Sequence, residues 1–200
     1  GHAVASFEGL ERYGLFAELF PDSAAALRSN RSGALRRVII EGLANTDARV
    51  AADEPVSPAF LFALLLWPAY CRALAGLQKQ GVAPEEAMRR AADRATVHQL
   101  ERIALPRRFS LPMQEIWLMQ MRFGSRQKRR VQRTLVHPRF RAAFDFLLLR
   151  QAASGEHAAD VAYWQQMREQ AGPVEPSFLD SIDGEQGQGA GDQDGERPAR

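Results

Sequence analysis

With 200 residues, 46% of them hydrophobic and 25% charged, the chain is long enough to bury a core as one domain, alone or with a tail. Its single cysteine, Cys71, excludes a disulfide framework, cannot complete a structural zinc site, and points to a reducing, cytoplasmic compartment. The net charge is only +2, yet the stretch from Arg102 to Arg150 carries about +10, so the basicity is concentrated and almost wholly arginine.

The chain reads as helices throughout. Phe7 to Phe20 has helical apolar spacing and ends at Pro21. Ser32 is positioned to cap a helix through Leu35, Val38, Ile39, Leu43 and Val50. Ser57-Pro58 pairs an N-cap with proline at the first helical position and opens the apolar run Ala59–Cys71. That run is too short to span a bilayer, stops at Arg72 and holds Pro68, which predicts a buried, kinked or split helix and no membrane partner. Pro84-Glu85-Glu86 starts a helix expected to reach about Ala104, with Arg107 and Arg108 in a Pro-broken connector behind it.

Ser110 begins a further predicted helix, with Met113, Ile116, Trp117, Gln120 and Met121 on one side and Gly124 closing it. Ser125 is expected to cap the next, His137-Pro138 to start another through Phe140, Phe144 and Leu147, and Ala158–Glu169 to form the last. No strand alternation, hairpin signal or internal repeat is visible. The predicted fold is all-α: a multi-helix body over 1–171 and a disordered, acidic, Gly/Gln-rich tail over 172–200. The chain does not open with Met, which predicts a fragment, with Gly1-His2 as the scar of a tag and the chemistry encoded upstream.

Arg126, Arg129, Arg130 and Arg133 have the spacing of one helix face, with Val131 and Leu135 opposite. No acid lies four residues away to pair with any of them, and like charges at this spacing repel. Unrelieved repulsion predicts a polyanionic ligand, and guanidinium forks suit phosphate oxygens. Arg139 and Arg141 flank Phe140, and Phe109, Trp117, Phe123 and Phe140 are candidate stacking platforms for single-stranded bases. The histidines share no metal-ligand spacing, no Gly-rich phosphate loop is present, and Asp192-Gln-Asp194 lies in the tail, where two-metal chemistry lacks a rigid support. No catalytic or metal-binding residue is assigned.

Five segments carry a family resemblance: Asn45-Thr-Asp-Ala-Arg-Val50, Pro58-Ala-Phe-Leu-Phe-Ala-Leu-Leu-Leu-Trp67, Ala104-Leu-Pro-Arg-Arg-Phe109, Gln114-Glu-Ile-Trp-Leu-Met-Gln120 and His137-Pro-Arg-Phe-Arg-Ala-Ala-Phe-Asp-Phe-Leu-Leu-Leu-Arg150. In order and separation they resemble the C-terminal half of the bacterial poly(A) polymerases. The resemblance implies an all-helical RNA-binding body that follows a nucleotidyltransferase head; the whole enzyme would add AMP from ATP to RNA 3′ ends with Mg²⁺ and so promote RNA decay. Neither ATP nor Mg²⁺ is expected in this chain, because the head's motifs have no counterpart here.

The implied RNA-binding positions are Arg107, Arg108, Arg126, Arg129, Arg130, Arg133, Arg139 and Arg141, with Lys128 at a position where the family often has glycine. Family members often end in a basic extension, whereas this tail is acidic, which predicts that it visits the arginines and competes with RNA. The expected partners are single-stranded RNA 3′ ends, the missing head and RNA-decay proteins. Two alternatives stand beside this reading: a non-enzymatic module that docks an acidic protein, and the body of a CCA-adding tRNA nucleotidyltransferase.

Overall fold

A computed structural model of the chain describes residues 1–172; the predicted tail, apart from Gly172, lies outside the described residues. Among the described residues there are α-helices and no strands. In chain order they are α1 (Ala3–Arg12), α2 (Leu15–Leu19), α3 (Pro21–Ser29), α4 (Ala34–Ala51), α5 (Pro58–Lys79), α6 (Pro84–Leu100), α7 (Arg107–Arg122), α8 (Lys128–Leu135), α9 (Phe140–Ser154) and α10 (Ala158–Ala171).

Helix α5 is the hub, packed by α3, α4, α6 and α7. Ser57 caps it, its hydroxyl accepting from the Phe60 N–H. Helix α5 runs unbroken through Pro68, against expectation. Proline costs a helix interior about 3 kcal/mol, and burial of Leu64, Leu66, Trp67, Pro68 and Tyr70 among four neighbouring helices offsets it. By length and composition alone α5 could cross a membrane, which the shorter apolar run in the sequence did not suggest. Here it serves as the central core helix. Cys71 packs against the core, where burial pushes its thiol up to about 12.

Other boundaries moved for local reasons. The stretch from Phe7 to Phe20 divides at Gly14, whose φ of 75° lies in the left-handed region, so α1 and α2 meet at a corner closed by Phe7 against Phe16. Ser32 stands one residue before the N-cap, Gly33, yet its hydroxyl accepts from the Ala34 N–H at the start of α4, and the Asn30 side chain accepts from the Leu35 N–H. Asp47 on α4 accepts from the backbone N–H groups of Ala3 and Val4, tying the start of α1 down and holding its carboxyl below the usual range. Helix α6 stops at Leu100, and α7 begins at Arg107 behind Pro106. Arg107 and Arg108 therefore sit in a first helical turn and not in a connector.

Among the described residues, most of the buried hydrophobic side chains fall into two clusters. The larger surrounds α5 and includes Ile39, Leu64, Trp67, Tyr70, Ile116 and Trp117. The smaller holds Met119, Phe123, Val131, Phe140, Phe144, Leu147, Val161 and Trp164. Helices α7 and α9 contribute to both. The smaller cluster is the platform on which the arginine-rich segment is mounted.

Candidate nucleic-acid interface

Helix α8 has the strongest segregation of the fold. Val131 and Thr134 are buried, Leu135 packs against the smaller cluster, and Lys128, Arg129, Arg130 and Arg133 are exposed. None of these four cations is paired with a carboxylate among the described residues. The first turn holds no acid and the N-cap, Gln127, makes no side-chain cap. The positive pole of the helix and the charges of Lys128, Arg129 and Arg130 therefore coincide, an arrangement that opposes the helix and attracts anions.

Arg126 is a correction to the predicted stripe. It precedes α8, and its guanidinium is already engaged. Nη2 donates to Asp160 Oδ1 at 2.6 Å, Nη1 donates to the Phe123 carbonyl at 2.7 Å, and the group lies 4.1 Å from the Tyr163 ring centroid. Three partners from one side chain make it a fastener between the α7 end and α10.

The remaining candidates lie on or beside α7 and α9. Arg107 and Arg108 are exposed in the first turn of α7, at the end of that helix opposite the one that leads to α8. The Arg108 guanidinium sits 4.9 Å from the Phe109 centroid. Arg139 donates to Glu115 Oε2 at 3.3 Å, so that position is partnered. Arg141 is exposed in the first turn of α9, on the side of Asp145. Lys128, Arg129, Arg130 and Arg133 are thus the predicted residues that the fold gathers into one open group.

The stacking platforms are also corrected. Trp117, Phe123 and Phe140 are buried, so none presents a face to a base. Trp117 stacks on Tyr70 with 5.0 Å between centroids and donates its indole N–H to the Ala63 carbonyl. Phe123 and Phe140 pack with Phe144 and Trp164. Phe109 is half-buried beside Phe62. Sequence spacing shows that a ring lies on a helix face; which face the core covers is decided by neighbours distant in the chain.

Two features escaped the sequence reading. Arg122 is exposed at the end of α7, close enough to His137 to act on its charge. Burial first, then Arg122 and Arg139, hold His137 below the usual imidazole range, and its Nδ1 accepts from the Arg139 N–H. The second feature is the set Asp160, His157 and Arg150, which stands behind Arg126. Nothing local in the sequence marks it, because Asp160 lies 34 residues from Arg126.

Residues 80–200 match the model of the family described as polymerase A arginine-rich C-terminus. The chain belongs to this family. The matched region takes in α8, its platform and the helices on either side. Among curated relatives, the chain is 33% identical over 190 residues to the poly(A) polymerase I of Escherichia coli O6:H1 and 32% identical over 186 residues to that of Salmonella typhi, each match covering 92% of the chain. The poly(A) polymerase I of Haemophilus influenzae is 32% identical over 165 residues, 82% of the chain. The chain spans about 40% of the length of the first two relatives. Similarity to the relatives thus reaches beyond the arginine-rich region into the helices around α5.

Proposed function

We propose that this member of the arginine-rich family grips single-stranded RNA through its phosphates, with α8 as the main contact. The observation that carries the reading is the exposed group Lys128, Arg129, Arg130 and Arg133, left without carboxylate partners on a helix anchored by Val131 and Thr134. Burial of the aromatic rings supports a grip by charge, with little base stacking and therefore little sequence preference. In the longer protein the body would present an RNA 3′ end to a catalytic head that uses ATP and Mg²⁺ to add AMP, in the cytoplasm. The relatives' shared name favours this assignment over a tRNA CCA-adding body.

The test is the salt dependence of oligo(A) binding. Roughly four neutralised phosphates at about −0.7 each give a log–log slope near −3. The combined variant Arg129→Glu, Arg130→Glu and Arg133→Glu should lose binding while retaining its helical circular dichroism, because these side chains face solvent. A flat salt response, or unchanged affinity in the triple variant, overturns the reading.

A further inference from the structure

We infer that Asp160 is a positioning residue for the α8 cations: it holds Arg126 at the root of α8, so that a carboxylate beside an anion-binding surface strengthens binding there. The inference rests on α8 being the polyanion-binding surface.

Helix α8 needs an external hold. It has eight residues, far fewer than an isolated helix requires. Its first turn is Lys128, Arg129 and Arg130, cations at the pole where they cost most, with no side-chain cap to offset them. Val131 and Thr134 fix one face of it to the core. What fixes the end that presents the cations is Arg126, two residues ahead of the helix.

Arg126 is held on three sides. Asp160 takes Nη2 at 2.6 Å, the Phe123 carbonyl takes Nη1 at 2.7 Å, and the guanidinium carbon lies over the Tyr163 ring, 4.1 Å from its centroid. The same Phe123 carbonyl accepts the Trp164 indole N–H at 2.8 Å. The end of α7, the root of α8 and the first turns of α10 therefore meet at one carbonyl and one guanidinium.

Asp160 is itself backed by a line of polar contacts into the core. Its Oδ2 lies 3.4 Å from His157 Nδ1, and His157 Nε2 lies 2.8 Å from Arg150 Nη2. A guanidinium only donates, so Nε2 accepts and the Nδ1–H faces Asp160. Arg150 also donates to Gln120 Oε1 at 3.1 Å and covers Trp67 at 5.2 Å. Gln120 in turn donates to the Ala143 carbonyl. His157 adopts a φ of 68°, uncommon for a residue with a side chain, at the N-cap of α10. The line runs Trp67, Arg150, His157, Asp160, Arg126, from the hub helix to the root of α8.

An exposed ion pair alone fixes little. Arg126 is fixed because its ion pair, carbonyl bond and ring contact act together, and Asp160 supplies the strongest of these. The two possible roles of Asp160 predict opposite signs. As a bystander acid it repels RNA, so Asp160→Asn would tighten binding by removing a negative charge. As a positioning residue it orders α8, so the same change weakens binding.

The experiment measures oligo(A) affinity and amide hydrogen exchange on the full chain for the parent, Asp160→Asn, Asp160→Glu and Arg126→Gln with and without Asp160→Asn. We expect Asp160→Asn to weaken binding by about three- to ten-fold, flatten the salt slope and speed exchange within residues 128–135 ahead of the other helices. Asp160→Glu should recover much of the affinity. In the Arg126→Gln background Asp160→Asn should no longer weaken binding, since the contact it served is gone. Equal or tighter binding by Asp160→Asn, or unchanged exchange in α8, overturns the positioning role even if the parent binds RNA well. A parent that does not bind oligo(A) overturns the RNA reading and, with it, this inference. If Asp160→Asn loses helicity throughout, Asp160 is a general structural residue and the inference also falls.

Discussion

The indole N–H of Trp164 donates to the carbonyl oxygen of Phe123 at 2.8 Å, joining α10 to the end of α7 inside the smaller core cluster. Trp164 has no exposed surface, and its ring meets Phe123 edge to face at 5.3 Å. Trp164→Phe removes one hydrogen bond, but the carbonyl keeps Arg126 as a partner, so the expected loss is about 1–2 kcal/mol. Trp164→Ala opens a cavity and should cost about 3–5 kcal/mol. Urea unfolding measures both. A Phe variant as damaged as the Ala variant would show that the bond outweighs the packing.

Two glycines inside helices predict opposite outcomes for the same substitution. A Cβ at Gly42 on α4 would stand 2.5 Å from both methyl carbons of the fully buried Leu64. Gly42→Ala should therefore destabilise, since overpacking of about 1–3 kcal/mol exceeds the helix-propensity gain of at most about 1 kcal/mol. At Gly76 on α5 an added Cβ meets nothing within 4 Å. Gly76→Ala should stabilise by about 0.5–1 kcal/mol. Thermal or urea midpoints that move in the same direction for both would contradict this account of α4 against α5.

Asp145 on α9 gives a pH-dependent prediction. Burial pushes its carboxyl above the usual range, although Arg141, Arg168 and Arg49 all pull it down. A carboxyl with a folded value above its unfolded value favours folding when protonated, and that advantage is lost as pH rises through the folded value. Asp145→Asn keeps the uncharged state, so it should be more stable than the parent at neutral pH. The gap should close as pH falls toward the unfolded value near 3.9. Stability curves from pH 3 to pH 7 would test this, and a variant less stable than the parent at neutral pH would show that the surrounding arginines outweigh burial.

The helices were legible because their signals are local. Ser57-Pro58 at the start of α5, Pro84 with two acids in the first turn of α6, and Gly124 just past the end of α7 act within a turn of where they stand. Two boundaries differ from the expected ones for equally local reasons. Gly14 supplied a left-handed corner, and Pro106 started α7 at Arg107 instead of leaving Arg107 and Arg108 in a connector.

Of the candidate site, the sequence determined the density of arginine and the division of α8 into an anchored face and a charged one, since both follow from composition and helical period. It did not determine which cations stay open. Arg126 and Arg139 are held by Asp160 and Glu115, partners 34 and 24 residues away. Trp117, Phe123 and Phe140 are covered by Tyr70, Trp164 and Phe144. Charge and periodicity belong to a segment, so the chain states them by itself. Pairing and burial arise between segments brought together by folding, so the tertiary structure alone decided which arginines remain open to a polyanion.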